Sequence, residues 1–469
     1  MRLKFTDFAT AAVIALPLVY ALPFRKSVND YGIYVAVGDR MWDTGSLADE
    51  VFLAHTVEGM AYVNGTWLSP LAFSAWDQLG GTWLTVLLHA LCVGLAVWVP
   101  FLHATRGRGA STGRAALAVA LCAPLLLGNL GLRPQTLILG VWGLLHWIGS
   151  RYADRRWAPL AVAGLTALWT NTHGAFVLVI PLMGTFFVEA LLARDQAKVK
   201  QTALMLFAGI GATFLTPYGA GTWAYVFDNI GISMIVGSEE FEGVSHTSWR
   251  FLRLVIAGLG VLALMLARPR PRWSDVFVAL GLAVPAFTGQ RYAIWWGLAL
   301  IPVLSDRFAT IPRFRDATLE LSLTGRRVLT GVFTFLAISS VAKSRRASPG
   351  DYFNEPVIFE AAEVIRDHSP DGARLFNCAE WGALFPWQLG PEWPVFLDTR
   401  AWIYSETIWQ EYTRVARAEP GWEAALTDRS ITVVAVDLPR FHRLADALAG
   451  DPDWAPLLEA PEGVVYGRR

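Results

Sequence analysis

The chain has 469 residues, of which 54% are hydrophobic and 17% charged, with 39 basic and 39 acidic side chains and no net charge. Soluble domains carry roughly 25% charge, so lipid is the expected solvent for much of the chain. A neutral balance gives no footing for nucleic acid, and three cysteines are too few for a disulfide framework.

In chain order, apolar runs fall at 8–24, 83–103, 115–132, 134–149, 157–170, 174–193, 202–217, 252–267, 275–289, 292–304 and 328–342. They predict an α-helical polytopic membrane bundle of about eleven transmembrane helices. Several runs are shorter than the roughly 17–25 residues of a straight crossing, so the basic residues decide the count. With Met1 cytoplasmic, alternate loops carry Arg106, Arg108 and Arg114; Arg151, Arg155 and Arg156; and Arg194, Lys198 and Lys200. The series continues with Arg268, Arg270 and Arg272, then Arg307, Arg313, Arg315, Arg326 and Arg327. The intervening loops hold few cations, and the long one at 25–82 is acidic. The positive-inside rule then predicts a multi-pass protein of the plasma (inner) membrane, N-terminus cytoplasmic and C-terminus outside. The first run reads as a retained anchor, because Ala21-Leu22-Pro23 is a poor cleavage site.

The short runs carry information. Trp157 to Ala193 must make two passes, interrupted by Asn171-Thr172-His173-Gly174. At 1.5 Å per residue the two arms span about 55 Å, barely two hydrocarbon thicknesses. The polar tip therefore stays near membrane depth. The same holds for the tips Gly289-Gln290-Arg291-Tyr292 and Leu132-Arg133-Pro134-Gln135. Non-helical polar backbone is tolerated there only when buried in protein or facing a wet cavity, so three tips on one side predict a polar cavity opening outward.

Residues 343–352 read as a linker, and 353–469 as a soluble α/β extracytoplasmic domain following a transmembrane module over 1–342. Asn354 is the expected cap of a helix ending near His368. Strands are expected at 374–378, 394–397 and 431–436, with a weaker pair at 456–458 and 464–466, and helices at 405–418 and 439–449.

The outer loop 25–82 is too patterned to be a plain connector. From Asn29-Asp30-Tyr31 it runs into an amphipathic helix whose apolar residues Ile33, Val37, Met41 and Trp42 suit the membrane interface, with Gly45 as its stop. Asp49-Glu50 and Glu58 follow, then Trp67-Leu68-Ser69-Pro70 leads into the second span.

An acid beside the membrane, a tyrosine-bearing amphipathic helix ending in Thr-Gly, an acidic pair and an aromatic re-entry together resemble the first outer loop of GT-C glycosyltransferases. Mannosyltransferases and aminoarabinose transferases are among them. The resemblance covers about 24–85 in motif and 1–340 in topology. It implies a GT-C-like fold and transfer of a hexosyl or pentosyl group from a polyprenyl-phosphate donor to a glycan, lipid or protein acceptor. It also implies that Asp30 acts as general base or orients the acceptor. Asp30-Tyr31 stands where family members often carry Asp-Glu or Asp-Pro, and no clear Asp-x-Asp is found, so use of a divalent metal stays open and no other cofactor is implied.

The residues themselves point the same way. Glycosyl transfer needs a carboxylate to take the acceptor proton as the sugar–phosphate bond breaks, and Asp30 is placed for it; the plainer role is to cap the loop helix. Arg133 and Arg291, at two of the shallow tips, suit a carrier phosphate, against simple snorkelling. His173 suits phosphate binding or proton transfer, against a backbone contact. Asp49 and Glu240 are candidate sugar or metal contacts, against solvated loop acids. In the tail, Glu380-Trp381-Gly382 and Leu397-Asp398-Thr399-Arg400 follow predicted strands, and an Asp–Arg pair in a structural turn is the preferred reading. No Gly-rich phosphate loop or zinc-spaced cluster is found. Besides a transferase, an oligosaccharide ligase or polymerase, a secondary transporter and a non-catalytic assembly protein fit the sequence; the absence of repeated halves counts against the transporter.

Overall fold

The computed structural model describes residues 5–22, 30–127, 130–236, 249–315, 323–347, 349–353 and 356–469. The first helices are α1 (Phe5–Ala21), α2 (Tyr31–Thr44), α3 (Leu68–Leu102), α4 (Thr112–Leu126), α5 (Pro134–Arg151), α6 (Ala158–Thr170), α7 (Val179–Leu192) and α8 (Gln196–Ala212). Next come α9 (Gly221–Val236), α10 (Trp249–Leu266), α11 (Trp273–Gly281), α12 (Ala283–Thr288), α13 (Ala293–Arg307), α14 (Pro312–Arg315) and α15 (Leu323–Arg346). The tail holds α16 (Val357–His368), α17 (Phe385–Leu389), α18 (Glu406–Ala416), α19 (Trp422–Asp428) and α20 (Leu438–Ala449). Among the described residues, each apolar run read from the sequence overlaps a helix, and the run at 275–289 is divided between α11 and α12. Helix α9 was not anticipated; it falls between the apolar runs at 202–217 and 252–267.

The chain divides into two compact units: Met1–Phe24, Val86–Trp223 and Gly237–Arg346 form a helical unit, and Arg25–Thr85, Ala224–Val236 and Ala347–Arg469 form a mixed one.

In the helical unit, α13 packs against α4, and Gly297 lets it come close to Leu125 and Leu126. The centre is aromatic: Trp142, Trp169 and Trp295 are fully buried, with Trp169 stacked on Trp295 at 5.2 Å between ring centroids. The outer faces of the helices are apolar too. Leu160, Phe207 and Leu266 are 78%, 68% and 76% exposed, a surface that water solvates poorly and lipid solvates well. Among the described residues, two helical stretches have the length and apolarity of a straight crossing, Leu68–Gly107 and Gly174–Leu192.

Two cations read as loop charges are buried structural groups instead. Arg108 binds Asp275 at 2.7 Å and Asp306 at 3.0 Å, its side chain almost fully buried. Arg307 donates to the carbonyls of Leu264, Ala267 and Pro269, closing the C-terminal end of α10. A guanidinium can satisfy several carbonyls or carboxylates at once, which is why arginine serves at such positions.

In the mixed unit, β1 (Arg374–Asn377), β2 (Ile431–Asp437), β3 (Trp454–Ala460) and β4 (Gly463–Arg468) make one sheet in the order β1-β2-β4-β3. The β1–β2 pair is parallel and the other two are antiparallel. Four of the five expected strand regions are therefore present, but 394–397 is not a strand of the sheet. Pro394 has no N–H to give a ladder. The Asn377 side chain holds this segment instead, donating to the Leu397 carbonyl and accepting from the Phe396 N–H. Val395 makes a single bridge to Ala54 of the outer loop. The expected cap Asn354 lies outside the described residues.

Helix α2 corrects another expectation. Its residues Ile33, Val37 and Met41 are buried in a cluster with Ala48 and Leu53, whereas Trp42 is 53% exposed. The apolar face thus packs on the helix's own unit rather than lying on a membrane interface. Gly45 does stop the helix, in the left-handed region at φ 63° with its N–H donating to the Met41 carbonyl.

Candidate functional site

The polar tips of the helical unit come together. His173 follows Trp169 by one turn, and Arg291 precedes Trp295 by one turn, so the stacked tryptophans bring the two tips side by side. The charges of Arg291 and Arg133 both act on the His173 ring. Its Nδ1 accepts the Ala175 N–H at 3.0 Å, leaving Nε2 to carry the proton of a neutral imidazole. The backbone contact foreseen as the plainer role of His173 is therefore present, and Nε2 remains available as a donor. The Asn171 amide donates to the Ala167 and Leu215 carbonyls, both at 2.8 Å, which fixes this tip against the end of α8. Arg133 stands at the start of α5, before Pro134 at the first helical position.

The acids of the outer loop belong to the mixed unit. Asp30 occupies the N-cap position of α2, where its side chain makes no capping hydrogen bond. Its charge acts on the Tyr34 hydroxyl one turn later. Burial, followed by the Tyr225 hydroxyl and then Asp30, holds Tyr34 well above the ordinary phenol range. Asp49 is exposed; its carbonyl accepts the Tyr62 N–H at 2.7 Å. Glu58 is exposed as well, and Glu240 lies outside the described residues.

Sequence reasoning missed several neighbours. Asp77, at the head of α3, accepts the Tyr31 hydroxyl at 2.7 Å and the Trp387 indole N–H at 3.3 Å. An acid just before a long apolar run was the signal that could have found it. The preferred Asp–Arg turn is present: Arg400 binds Asp398 at 2.6 Å, with both side chains buried. Glu380 forms an exposed ion pair with Arg440, which also binds Asp437 at 3.2 Å.

No family model matches the chain, and no curated protein matches it. Solved structures do. An oligosaccharyltransferase from Archaeoglobus fulgidus is similar with a TM-score of 0.58 and 13% identity, covering 92% of this chain and 69% of that one. ArnT from Cupriavidus metallidurans, solved with undecaprenyl phosphate, reaches a TM-score of 0.58 at 16% identity and 97% of both chains. The chain has the GT-C fold. The arabinofuranosyltransferase AftD from Mycobacteria shares it with a TM-score of 0.55 at 16% identity, over 100% of this chain and 40% of that longer one. The loop resemblance at 24–85 thus belongs to a GT-C architecture that runs through nearly the whole chain. The Archaeoglobus enzyme has also been solved with Zn and sulfate. Among the described residues here, no group of three His, Cys, Asp or Glu side chains is close enough to hold a metal.

Proposed function

We propose that the protein is a glycosyltransferase moving a sugar from a polyprenyl-phosphate donor to an acceptor on the outer face of the membrane. The observation that carries this reading is the pair of guanidinium groups, Arg133 and Arg291, acting on His173. Two cations around an imidazole N–H suit a carrier phosphate, whose oxygens accept paired, charge-assisted hydrogen bonds. The GT-C fold supports the same donor, since ArnT was solved bound to undecaprenyl phosphate. In this reading Asp30 takes the acceptor hydroxyl proton as the new bond to the sugar carbon forms and the carbon–oxygen bond to phosphate breaks. The carrier phosphate leaves with the electron pair, and the arginines stabilise its growing charge. The chain crosses the bilayer about eleven times, the shorter helices reaching across by way of polar tips. Residues 343–352 link the transmembrane module to an extracytoplasmic domain over 353–469. A ligase passing a whole oligosaccharide is the second reading, favoured by the likeness to the Archaeoglobus oligosaccharyltransferase.

Removing a base that acts in the transition state lowers turnover far more than binding, typically by about 10²–10⁴-fold. Asp30→Asn is therefore expected to abolish sugar transfer in membranes while expression and insertion stay normal. Arg291→Ala is expected to weaken undecaprenyl-phosphate binding, because that contact exists already in the ground state. Transfer at the parental rate by Asp30→Asn would remove Asp30 from the mechanism, with Glu58 or Glu240 next to try.

A further inference from the structure

One end of the helical unit carries a charge pattern that the transferase reading leaves unused. The segments 151–157, 194–200 and 268–273 hold nine cations against two acids, Asp154 and Asp195, and all nine cations are exposed. Two of these segments end in an arginine–tryptophan corner: Arg155-Arg156-Trp157 leads into α6, and Arg270-Pro271-Arg272-Trp273 leads into α11. We infer that this rim binds anionic phospholipid, with a headgroup phosphate at each corner and an acyl chain along the apolar side chains beside it. The inference stands apart from the transferase reading and needs only that lipid surrounds the helical unit.

Packing makes one rim of segments that are far apart in sequence. Helix α8 packs against α6 and α7, and α11 packs against α7. The Gln201 amide donates to the Arg155 carbonyl at 2.8 Å, one turn along α8 from Lys198. Glu189, in the last turn of α7, accepts the Ser274 N–H at 3.5 Å, next to Trp273. The start of α6, the end of α7 and the starts of α8 and α11 therefore lie together. His173 follows the opposite end of α6, thirteen residues or about 20 Å away, so the rim is separate from the carrier-phosphate tips.

The neighbouring side chains select a lipid over a soluble anion. Trp157 is 48% exposed, and Leu160 one turn later is exposed as well. Trp273 is 54% exposed and stacks on the exposed Phe277 at 6.1 Å between centroids. Leu191 and Leu192 are exposed just before Arg194. Cation thus borders apolar surface within about one turn at three places. A phospholipid supplies a phosphate and a hydrocarbon chain in one molecule, whereas a soluble phosphate would leave the apolar half in water. Tryptophan is the common residue at such a boundary, because its ring is apolar and its N–H is not. Charge then chooses the headgroup. Phosphatidylcholine brings a cation of its own against the rim, while phosphatidylglycerol is a net anion.

Native mass spectrometry of the full-length protein in detergent tests this, with phosphatidylglycerol and phosphatidylcholine of identical chains as probes. Phosphatidylglycerol should bind roughly tenfold more tightly, and glycerol phosphate should not displace it. Arg155→Gln/Arg156→Gln and Arg270→Gln/Arg272→Gln should each lose one tightly held lipid, and the fourfold variant should hold both lipids alike. Arg155→Lys/Arg156→Lys keeps the charge and should keep the preference. Arg414→Gln/Arg443→Gln removes as much charge from the C-terminal tail and should bind as the parent does. Equal retention of the two lipids by the parent, parental preference in the fourfold variant, or an equal loss in the tail variant would overturn the assignment. Displacement by glycerol phosphate would overturn it too, by showing a site for a soluble phosphate.

Discussion

The Tyr31 hydroxyl donates to the Asp77 carboxylate at 2.7 Å, tying the first residue of α2 to the head of α3. Tyr31 is fully buried between Phe73, Phe353 and Trp387, so the hydrogen bond sits in an aromatic box. Burial pushes the Asp77 carboxyl up, while the donors Tyr31 and Trp387 hold it down. Tyr31→Phe keeps the packing and removes one donor, and should cost about 1–3 kcal/mol. The thermal midpoint of the purified protein measures it. An unchanged midpoint would mean that the aromatic box alone carries the contact.

Stability should also fall in mild acid because of His55. Its ring is buried against the Leu375 carbonyl at 3.1 Å, and burial lowers its pKa to about 4. The folded state therefore favours neutral imidazole. The stabilisation is complete above the ordinary value near 6.5 and is lost as pH drops from there through 4, amounting to about 3 kcal/mol. His55→Gln can still donate to Leu375 without titrating. Midpoints recorded between pH 7 and pH 4 should fall less for that variant than for the parent, and parallel curves would refute the assignment.

Arg108 predicts a larger effect. Removing one partner of a buried ion pair strands the other, at a cost of about 3–5 kcal/mol. Asp275→Asn should sharply reduce folded yield from membranes. Arg108→Met combined with Asp275→Leu should recover part of it, because an apolar pair strands no charge. Normal yield from Asp275→Asn would show that Asp306 alone suffices.

Topology has its own test. A reporter fused after Arg469 should be active only outside the cytoplasm, and one inserted at Arg270 only inside. The reverse result would overturn the outer-face reading.

Much of the architecture was legible because helices in lipid must be apolar along their length. The runs at 83–103 and 174–193 mark α3 and α7 directly, and Gly45 announces the end of α2. Legibility failed where polar groups change partners in three dimensions. Arg108 and Arg307 look like loop cations in a linear reading, yet carboxylates and carbonyls distant in sequence take up their charge. The segment 394–397 has strand-like composition, but Pro394 and the Asn377 side chain direct it to the outer loop.

Composition and spacing alone determined where the apolar runs of this chain lie, which polar tips interrupt them, and that acids gather between the first two runs. These properties are one-dimensional: they depend on which residues follow one another. Which distant side chains meet is not. Arg400 and Tyr62 are separated by more than three hundred residues, and only the packing of the outer loop against the C-terminal sheet unit lays the guanidinium over the ring. Tertiary structure decided this contact because side chains so far apart in sequence meet only when their segments pack together.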